Sequence, residues 1–349
     1  MTSDSLCQFT LSITMVISIN PKTQFKSSLN KGNVSVNLQP VTEPGIAPTD
    51  FYATTIHPTD ICIGGQWMRV KNPRESGAIV IRFSPTPQAE CHPLRDLQVG
   101  DLVVVGKEGV RVKTTSFQQE EEFGFMSATV SSERPIEALI LQITKYLLAY
   151  REAGFKVAVC AGKDVAERGG LEALVSLIRN GYVQALVTEN AIASYDLSLS
   201  LYNTERRQAH AINEIRRYGN IAKAVEQGIL NAGLFYECNR LGVPFAIAGS
   251  LEDEPLPDTL TDTVIAQQTY ARLLYGADMI LMLSAGMSAM AVRRMTPAGV
   301  KVIAVDINPA VVQALCDYDT AESIGIVTDV GLFLTQLVQQ LNLALLAQV

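Results

Sequence analysis

Histidine, tryptophan and basic residues are scarce in this sequence. Its 349 residues include three histidines and one tryptophan, and 28 Lys and Arg stand against 35 Asp and Glu, which gives a net charge of −7. A protein without a basic excess cannot neutralise many phosphates, so nucleic acid is not expected as a partner. The cysteines show no CxxC spacing, and with so few histidines there is no pattern typical of a metal site.

Long apolar runs are also missing. The apolar-rich stretch at residues 6–19 has about fourteen residues, too short to cross a bilayer, and it lacks the basic start of a signal peptide. The six cysteines are scattered and mostly fall in apolar runs, which is typical of buried thiols in a reducing compartment. We therefore expect a cytoplasmic protein without a membrane span.

The composition and the hydrophobic pattern of the sequence change along the chain, and these changes predict three parts. Residues 1–48 read as an extension or linker, although the alternation at residues 6–19 is also that of a strand. Residues 49–128 carry short β-type runs broken by glycine and proline, so they predict a small all-β domain. The strands predicted there are 52–56, 61–63, 66–70, 78–83 and 102–105.

Residues 129–349 alternate buried-strand and helix patterns, which predicts an α/β domain with a doubly wound parallel sheet of Rossmann-like type. A helical stripe comes first, at residues 136–148. The strands are predicted at 156–160, 183–187, 244–248, 279–283, 301–305 and 323–328. The helices that follow are predicted at 169–179, 206–217, 221–233, 261–275, 288–295, 309–316 and 330–345.

The stretch at residues 277–309 predicts a nucleotide site within this sheet. A buried strand runs into the small-residue turn 284–288, and a second strand ends at Asp306, on the order of 20 residues later, as in dinucleotide-binding units. A helix N-terminus at the turn would aim amides at a phosphate, and the carboxylate would accept ribose hydroxyls. The alternative is an ordinary βαβ unit in which Asp306 or Asn308 caps the next helix.

Ligands of such sheets bind beyond the carboxyl ends of the strands, and five of these ends carry small or hydrogen-bonding residues. This pattern favours a ligand cleft, although helix capping could account for much of it. The residues at these ends are 188–191, 249–253, 284–288, Asp306, Thr328 and Asp329.

Several segments resemble the archaeal-type ornithine cyclodeaminase family, which also forms the C-terminal part of cyanobacterial bifunctional arginine dihydrolase/ornithine cyclodeaminases. The resemblance runs from about residue 49 to the C-terminus. The segments are FYATTIHPTD (51–60), LRDLQVGDLVVVGKEGVRV (94–112), FGFMSATVSSERP (123–135), AINEIRRYGNIAKAVEQG (211–228), GADMILML (276–283), VKVIAVDINPAVV (300–312) and IGIVTDVG (324–331).

This resemblance implies NAD as a recycled cofactor and a lyase reaction that turns L-ornithine into L-proline and ammonia. It implies that ten of these strand-end residues are the NAD contacts, namely Asn190, Ala191, Asp253, Ala285, Gly286, Met287, Ser288, Asp306, Thr328 and Asp329. Asp196 and Glu214 are the candidates for acid–base catalysis, and Arg206 or Arg207 for binding the substrate carboxylate. Because Ile307, Asn308 and Pro309 offer no cation for a 2′-phosphate, NAD is favoured over NADP. A homo-oligomer that acts on a small amino acid is expected.

The sequence departs from the family pattern where that pattern has histidines. Glu167, Tyr195 and Ser288 stand at such positions, and Glu189 replaces a glycine. Since histidine is the side chain that titrates near neutral pH, these departures leave two alternatives open. One is a divergent nucleotide-binding relative without cyclodeaminase activity, acting as a sensor or partner protein, and the other is the same chemistry on another amino acid.

Overall fold

The structure is a computed structural model, and it describes residues 35–83, 86–113, 136–250, 254–317 and 323–346. The strand pattern at residues 6–19 and the predicted contact Asp253 lie outside these ranges. Among the described residues, no helix is both long enough and apolar enough to cross a membrane. The same residues hold no group of three potential metal ligands.

Two antiparallel sheets form the first part of the chain. One has the strand order β1-β6-β4-β5 and the other β3-β2-β7. Buried side chains of the two sheets, among them Ile61, Ile79 and Val104, pack into a shared apolar core. The strands are β1 (Asn37–Pro40), β2 (Thr59–Ile63), β3 (Gln66–Arg69), β4 (Ala78–Phe83), β5 (Pro87–His92), β6 (Leu102–Val105) and β7 (Val110–Val112).

Four of the predicted β-type runs correspond to β2, β3, β4 and β6. The prediction of a strand at 52–56 is wrong: Phe51 and Ala53 each form only one isolated bridge, because the chain crosses between neighbouring strands there. Three strands of this part were missed, β1, β5 and β7. Strand β1 pairs with β6, so part of the predicted extension 1–48 belongs to the first sheet. The boundaries at 48/49 and 128/129 stay predictions.

A seven-stranded parallel sheet organises the second part, with the order β11-β10-β9-β8-β12-β13-β14. This confirms the predicted fold class, an α/β fold preceded by antiparallel β structure. The strands are β8 (Val157–Ala161), β9 (Ala185–Glu189), β10 (Phe245–Ala248), β11 (Thr259–Leu260), β12 (Met279–Leu283), β13 (Lys301–Asp306) and β14 (Ser323–Val327).

Eleven helices accompany the strands within the described residues. They are α1 (Ile136–Ala153), α2 (Asp164–Glu167), α3 (Leu171–Arg179), α4 (Asn190–Tyr202), α5 (Gln208–Tyr218), α6 (Ile221–Glu226), α7 (Leu234–Leu241), α8 (Thr263–Leu274), α9 (Gly286–Met295), α10 (Pro309–Cys316) and α11 (Val330–Leu346).

Strand β12 shows why an unbroken apolar run becomes a central strand. All five of its residues are buried. Met279, Leu281 and Leu283 belong to one core cluster, whereas Ile280 and Met282 belong to another. Successive side chains of a strand point to opposite faces, so the two clusters are the layers of helices on either side of the sheet. Full burial of such a side chain stabilises the fold by about 1.5–3 kcal/mol.

Three helices were missed by the periodicity argument: α2, α4 and α7. Helix α4 has no clean apolar stripe because it buries polar residues as well, among them Asn190, Ser194 and Asp196. The predicted helix 221–233 is wrong in its second half, since α6 ends at Glu226. Gly233, with φ of +96°, precedes the separate helix α7.

Candidate functional site

The strand order of the large sheet reverses between β8 and β12, which creates a crevice at their carboxyl ends. The loops that leave these strands are joined to the sheet by backbone bonds. The amide of Gly162, just after β8, donates to Leu283 O at 3.0 Å, and the amide of Ser284, just after β12, donates to Val305 O at 2.9 Å. The predicted turn 284–288 therefore lies at the switch point, where α/β sheets bind their ligands.

Gly162 is a site residue that the sequence argument missed. A Cβ built on it would lie 2.0 Å from Ser284 O and 2.7 Å from Ala285 Cα, which is closer than any side chain tolerates. Only glycine lets the two loops approach so closely. The available signal was the Ala161-Gly162-Lys163 sequence directly after a buried strand, but its partner lies far along the chain.

The turn after β12 opens helix α9 and combines buried with exposed positions. Ala285 is buried, whereas Met287 is 88% exposed. Ser284 and Gly286 both have positive φ, +45° and +48°. The space around the Cβ position of Gly286 is open. Because the first amides of a helix have no carbonyl partner within it, Gly286 and Met287 present donors suited to an anion, whereas the amide of Ser288 donates to Ala285 O at 3.0 Å.

Asp306 ends β13, the strand next to β12, and it is 9% exposed. Its Oδ1 accepts a hydrogen bond from the amide of Asn308 at 2.8 Å, and its carbonyl accepts one from Thr328 at 3.1 Å. Asn308, rather than Asp306, caps helix α10 by accepting from Ala310 at 3.0 Å. Asn308 thus supplies the helix cap that the alternative interpretation assigned to Asp306 or Asn308. The Oδ2 atom of Asp306 remains available to a ligand at the end of the strand.

Asp329 follows β14 and caps helix α11. Its Oδ1 accepts from the amide of Leu332 at 2.9 Å, and its Oδ2 from Arg168 Nη1 at 3.0 Å. The Leu332 amide and the Arg168 guanidinium hold the pKa of this carboxyl below its ordinary value. Arg168 also forms a salt bridge with Asp164 at 3.4 Å. Salt bridges of this one arginine therefore connect the segment after β8 with the residue that follows β14.

Asn190 is fully buried at the start of α4 and fixes a neighbouring segment. Its Nδ2 donates to Glu254 O at 2.9 Å, and its Oδ1 accepts from Thr259 Oγ1 at 2.6 Å and from the amide of Leu256 at 3.2 Å. Ala191 beside it is half-buried. Asn190 therefore positions the chain that follows β10 rather than presenting a free amide.

The two acid–base candidates lie in different environments. Asp196 is fully buried and accepts from the amides of Leu234 at 2.8 Å and Phe235 at 3.2 Å, so it caps helix α7. Burial raises its pKa to about 7, although these amides act in the opposite direction. Glu214, on α5, pairs with Arg217 at 3.1 Å.

The arginines suggested for the substrate carboxylate lie in the short connection between α4 and α5. Arg206 is largely exposed and faces Glu205 at 3.7 Å, whereas the guanidinium of Arg207 lies 5.5 Å from the ring centre of Tyr202. The structure thus brings the turn 284–288, Asp306 and Thr328 to one edge of the sheet, and it gives Asp196 and Asn190 structural bonds.

Comparison with known protein families agrees with this architecture. Residues 141–337 match the Rossmann-fold part of the C-terminal region of ArgZ-like arginine dihydrolases, and residues 58–140 match the first part of that region. The chain belongs to this ArgZ-like C-terminal family. The predicted resemblance to cyanobacterial and archaeal ornithine cyclodeaminases is thereby confirmed.

Curated relatives of the ArgZ-like chain come from cyanobacteria and archaea. It is 48% identical over 326 residues to the bifunctional arginine dihydrolase/ornithine cyclodeaminase AgrE of a Nostoc species, covering 87% of this chain and 46% of AgrE. It is 42% identical over 330 residues to the ornithine cyclodeaminase of Methanocaldococcus jannaschii, covering 88% and 78%. The chain therefore spans about half the length of the bifunctional relatives it matches.

Solved structures of relatives share the ArgZ-like fold. A conserved protein of LOR/SDH type from Methanococcus maripaludis superposes with a TM-score of 0.82 at 34% identity, covering 89% of this chain and 99% of that protein. The ternary complex of AgrE with ornithine and NAD+ superposes with a TM-score of 0.60 at 45% identity, covering 90% and 47%.

Proposed function

We propose that this protein is an NAD-dependent ornithine cyclodeaminase, a lyase that converts L-ornithine into L-proline and ammonia. The observation that carries the proposal is the crevice between β8 and β12, in a chain 45% identical to AgrE, whose solved complex contains ornithine and NAD+. Relatives named ornithine cyclodeaminase match 88% of the chain at 40–42% identity.

The residues around the crevice fit a dinucleotide. Gly162 allows the loops after β8 and β12 to touch, which keeps side chains out of the switch point. The amides that open α9, at Gly286 and Met287, suit a pyrophosphate, and the proposed contact of Ser288 is through its side chain. Asp306 retains one carboxylate oxygen for ribose hydroxyls, since only Oδ1 accepts from Asn308.

The remaining predicted cofactor contacts follow strands β9, β12 and β14, which lie near the crevice. Thr328 and Asp329 follow β14 beside Asp306, and Ala285 is the residue that packs under Gly162. Asn190 and Ala191 follow β9 on the other side of β8. We keep all of them as proposed cofactor contacts, together with Asp253, which lies outside the described residues.

The chemistry divides between cofactor and protein. NAD, when bound, supplies reversible hydride transfer. The protein must hold the substrate Cα against it, pair the substrate carboxylate and move protons near neutral pH. Asp196 has a pKa of about 7, which suits proton transfer at that pH. Both of its oxygens accept hydrogen bonds from amides of α7. Proton transfer to or from Asp196 would therefore have to compete with these two bonds.

A nucleotide-binding relative without turnover is the second candidate. It is favoured by Glu167, Tyr195 and Ser288, which stand where the family pattern has histidines. Tyr195 cannot replace a histidine at neutral pH, since burial raises the pKa of its hydroxyl further above its ordinary value. The third reading, the same chemistry on another amino acid, is tested by the same assay with lysine or 2,4-diaminobutyrate.

The experiment combines binding with turnover on the full chain. We expect NAD to raise the melting temperature and to bind more tightly than NADP, because residues 307–309 contain no cation. With NAD present, L-ornithine should yield proline and ammonia in equal amounts. Binding without either product would support the second candidate, and absence of NAD binding would refute both.

Two further expectations accompany this proposal. The protein is expected to form a homo-oligomer and to act in the cytoplasm. Static light scattering of the purified chain measures the first, and fractionation of cells that produce it measures the second. A strictly monomeric mass at micromolar concentration would contradict the oligomer.

A further inference from the structure

A cavity of about 700 Å³ lies between the first and second parts of the chain, away from the crevice. One wall comes from β5 and the segment after it, and the other from the ends of α8 and α9. Gly276 and Ala277 lead into β12, and Val300 leads into β13, so the cavity adjoins the amino ends of these strands. A five-residue strand is roughly 16 Å long, which separates the cavity from the crevice at the opposite ends.

Backbone and side-chain hydrogen bonds join the first and second parts of the chain around this cavity. The amide of Ala298 donates to Ile56 O at 2.9 Å, and the amide of Glu75 donates to Arg294 O at 3.4 Å. Arg95 Nη1 donates to Gln267 Oε1 at 2.5 Å, and Gln268 Nε2 donates to Asp96 Oδ1 at 3.3 Å. The cavity therefore has defined walls on both sides.

Positive charge exceeds negative charge along these walls. Arg74, Arg95 and Arg272 line the cavity, and Glu90 and Asp96 are the carboxylates that line it. Glu90 accepts from Asn72 at 2.7 Å and lies 3.7 Å from His92, while Asp96 lies 3.8 Å from Arg95. The three arginines outnumber the two carboxylates, which leaves one positive charge to be balanced.

Arg74 is the half-buried arginine of this cavity, and it forms no salt bridge within the described residues. Burial and the nearby Arg95 lower its pKa, whereas Cys91 and Asp96 act in the opposite direction, so Asp96 offsets only part of its charge. The neighbouring thiol of Cys91 stays uncharged at neutral pH, because burial raises its pKa. Half-buried guanidinium groups are usually paired, so an anion in the cavity would complete this environment.

The backbone holds Arg74 in place. Thr54 Oγ1 donates to Arg74 O at 2.6 Å and accepts from the amide of Gly77 at 3.1 Å. A Cβ on Gly77 would lie 3.1 Å from Arg74 Cγ, so the stem of the arginine packs closely over this glycine. Binding an anion would therefore cost little ordering of the arginine.

The opposite wall, apart from Gln268 and Arg272, is apolar. It contains Ala271 and Leu274 of α8, Ile280 of β12 and Val300. We propose that the cavity is a second binding site, which takes a small organic anion with a carboxylate for Arg74 and Arg95 and a short apolar chain for this wall. The site is independent of the cofactor crevice, and its occupation does not depend on the proposed function.

Hexanoate is a suitable probe, because it joins one carboxylate to a short apolar chain. Hexanol and hexylammonium have the same chain with no charge and with the opposite charge. Calorimetric titration of the full chain at constant ionic strength should show hexanoate binding at least tenfold more tightly than hexanol, and hexylammonium not at all. Equal affinity for hexanoate and hexanol would overturn the proposal.

Variants assign the binding to this cavity. Arg74→Gln should weaken hexanoate at least tenfold, and Arg74→Lys should weaken it less. Arg82→Gln, on the exposed end of β4, is the matched control and should change nothing. Ala271→Leu fills the apolar side without changing charge and should also weaken hexanoate, so the proposal stays testable if Arg74→Gln melts early. Equal affinities for the Arg74→Gln and Arg82→Gln proteins would refute it.

A competition experiment separates this site from the crevice. Saturating NAD should leave the affinity for hexanoate unchanged, and hexanoate should bind even if the chain proves not to bind NAD. Displacement of hexanoate by NAD would assign the ligand to the crevice and would overturn the second site.

Discussion

The carbonyl oxygen of Ser284 occupies the position that a side chain on Gly162 would need. A Cβ at residue 162 would lie 2.0 Å from that oxygen, a distance at which the backbone must move. Gly162 does not have a positive φ, so its importance is steric rather than conformational. The contact joins the loops after β8 and β12, the two strands that flank the proposed cofactor crevice.

Gly162→Ala should therefore destabilise the protein and disturb the crevice. We expect a loss of about 1–3 kcal/mol in the free energy of unfolding, as for overpacked sites, together with weaker NAD binding. Gly299→Ala is the matched control, because the Cβ position there is open and its φ is not positive. Urea denaturation and NAD titration of both variants measure the effect, and equal behaviour would contradict the steric role.

Asp306→Asn should weaken NAD without unfolding the chain. The asparagine Oδ1 can still accept from Asn308, so the turn after β13 is kept. Loss of charge-assisted bonds to ribose should cost about 1.5–3 kcal/mol, which is roughly tenfold or more in the dissociation constant. Asp278→Asn is the control, since Asp278 bonds the amide of Lys156 at the other edge of the sheet. Undiminished NAD affinity in Asp306→Asn would remove Asp306 from the site.

Asn190→Ala should loosen the segment that Asn190 holds. The change leaves Glu254 O and Thr259 Oγ1 without their partner in a buried place, at a cost of about 1–3 kcal/mol. We expect faster proteolysis near residues 254–259, mapped by mass spectrometry. Asn180→Ala removes only local bonds to Ser176 at the exposed end of α3 and should not change cleavage. Equal cleavage patterns would show that Asn190 does not hold the segment.

Asp196 should make the stability of the protein depend on pH. Its folded pKa of about 7 exceeds the ordinary value of 3.8, because the carboxyl is buried. Between these values the unfolded chain loses a proton that the folded chain keeps, so the free energy of unfolding falls as the pH rises from about 4 to about 7. The fall attributable to this group is on the order of 4 kcal/mol, and it levels off above pH 7.

Asp196→Asn provides the comparison for this prediction. The asparagine does not titrate, so the stability difference between wild type and variant should move against the wild type as the pH rises through that window. Chemical denaturation at several pH values measures the difference. A constant difference from pH 4 to pH 8 would show that the folded carboxyl ionises near its ordinary pKa.

The fold could be predicted from sequence where one segment carries its own signal. Met279–Leu283 and Pro309–Cys316 were predicted with the bounds they have, because an apolar run and an Asn-Pro cap are local features. Helix α4 was missed since its buried Asn190 and Asp196 conceal its apolar period. The hydrogen bonds that explain their burial are made to Thr259 and Leu234, which are distant in sequence, so they become apparent only in the folded structure.

The candidate site, like the fold, could be predicted only where a local sequence signal exists. The turn at Gly286 and the carboxylate of Asp306 follow from strand ends, and the structure brings both to the same edge of the sheet. Gly162 was not recognised, because the group that excludes a side chain there is the carbonyl of Ser284, more than a hundred residues away in the sequence. The cavity beside Arg74 was also out of reach, since its walls come from two parts of the chain that no local pattern relates.

The central place of β8 has a consequence for how the chain is made. One edge of β8 pairs with β9, about thirty residues later, but its other edge pairs with β12, in which Leu283 lies opposite Ala161. During synthesis that second edge stays open until roughly 120 further residues have left the ribosome. An open edge strand readily pairs with other chains, so the growing polypeptide is most prone to aggregation, and most in need of a chaperone, during this interval.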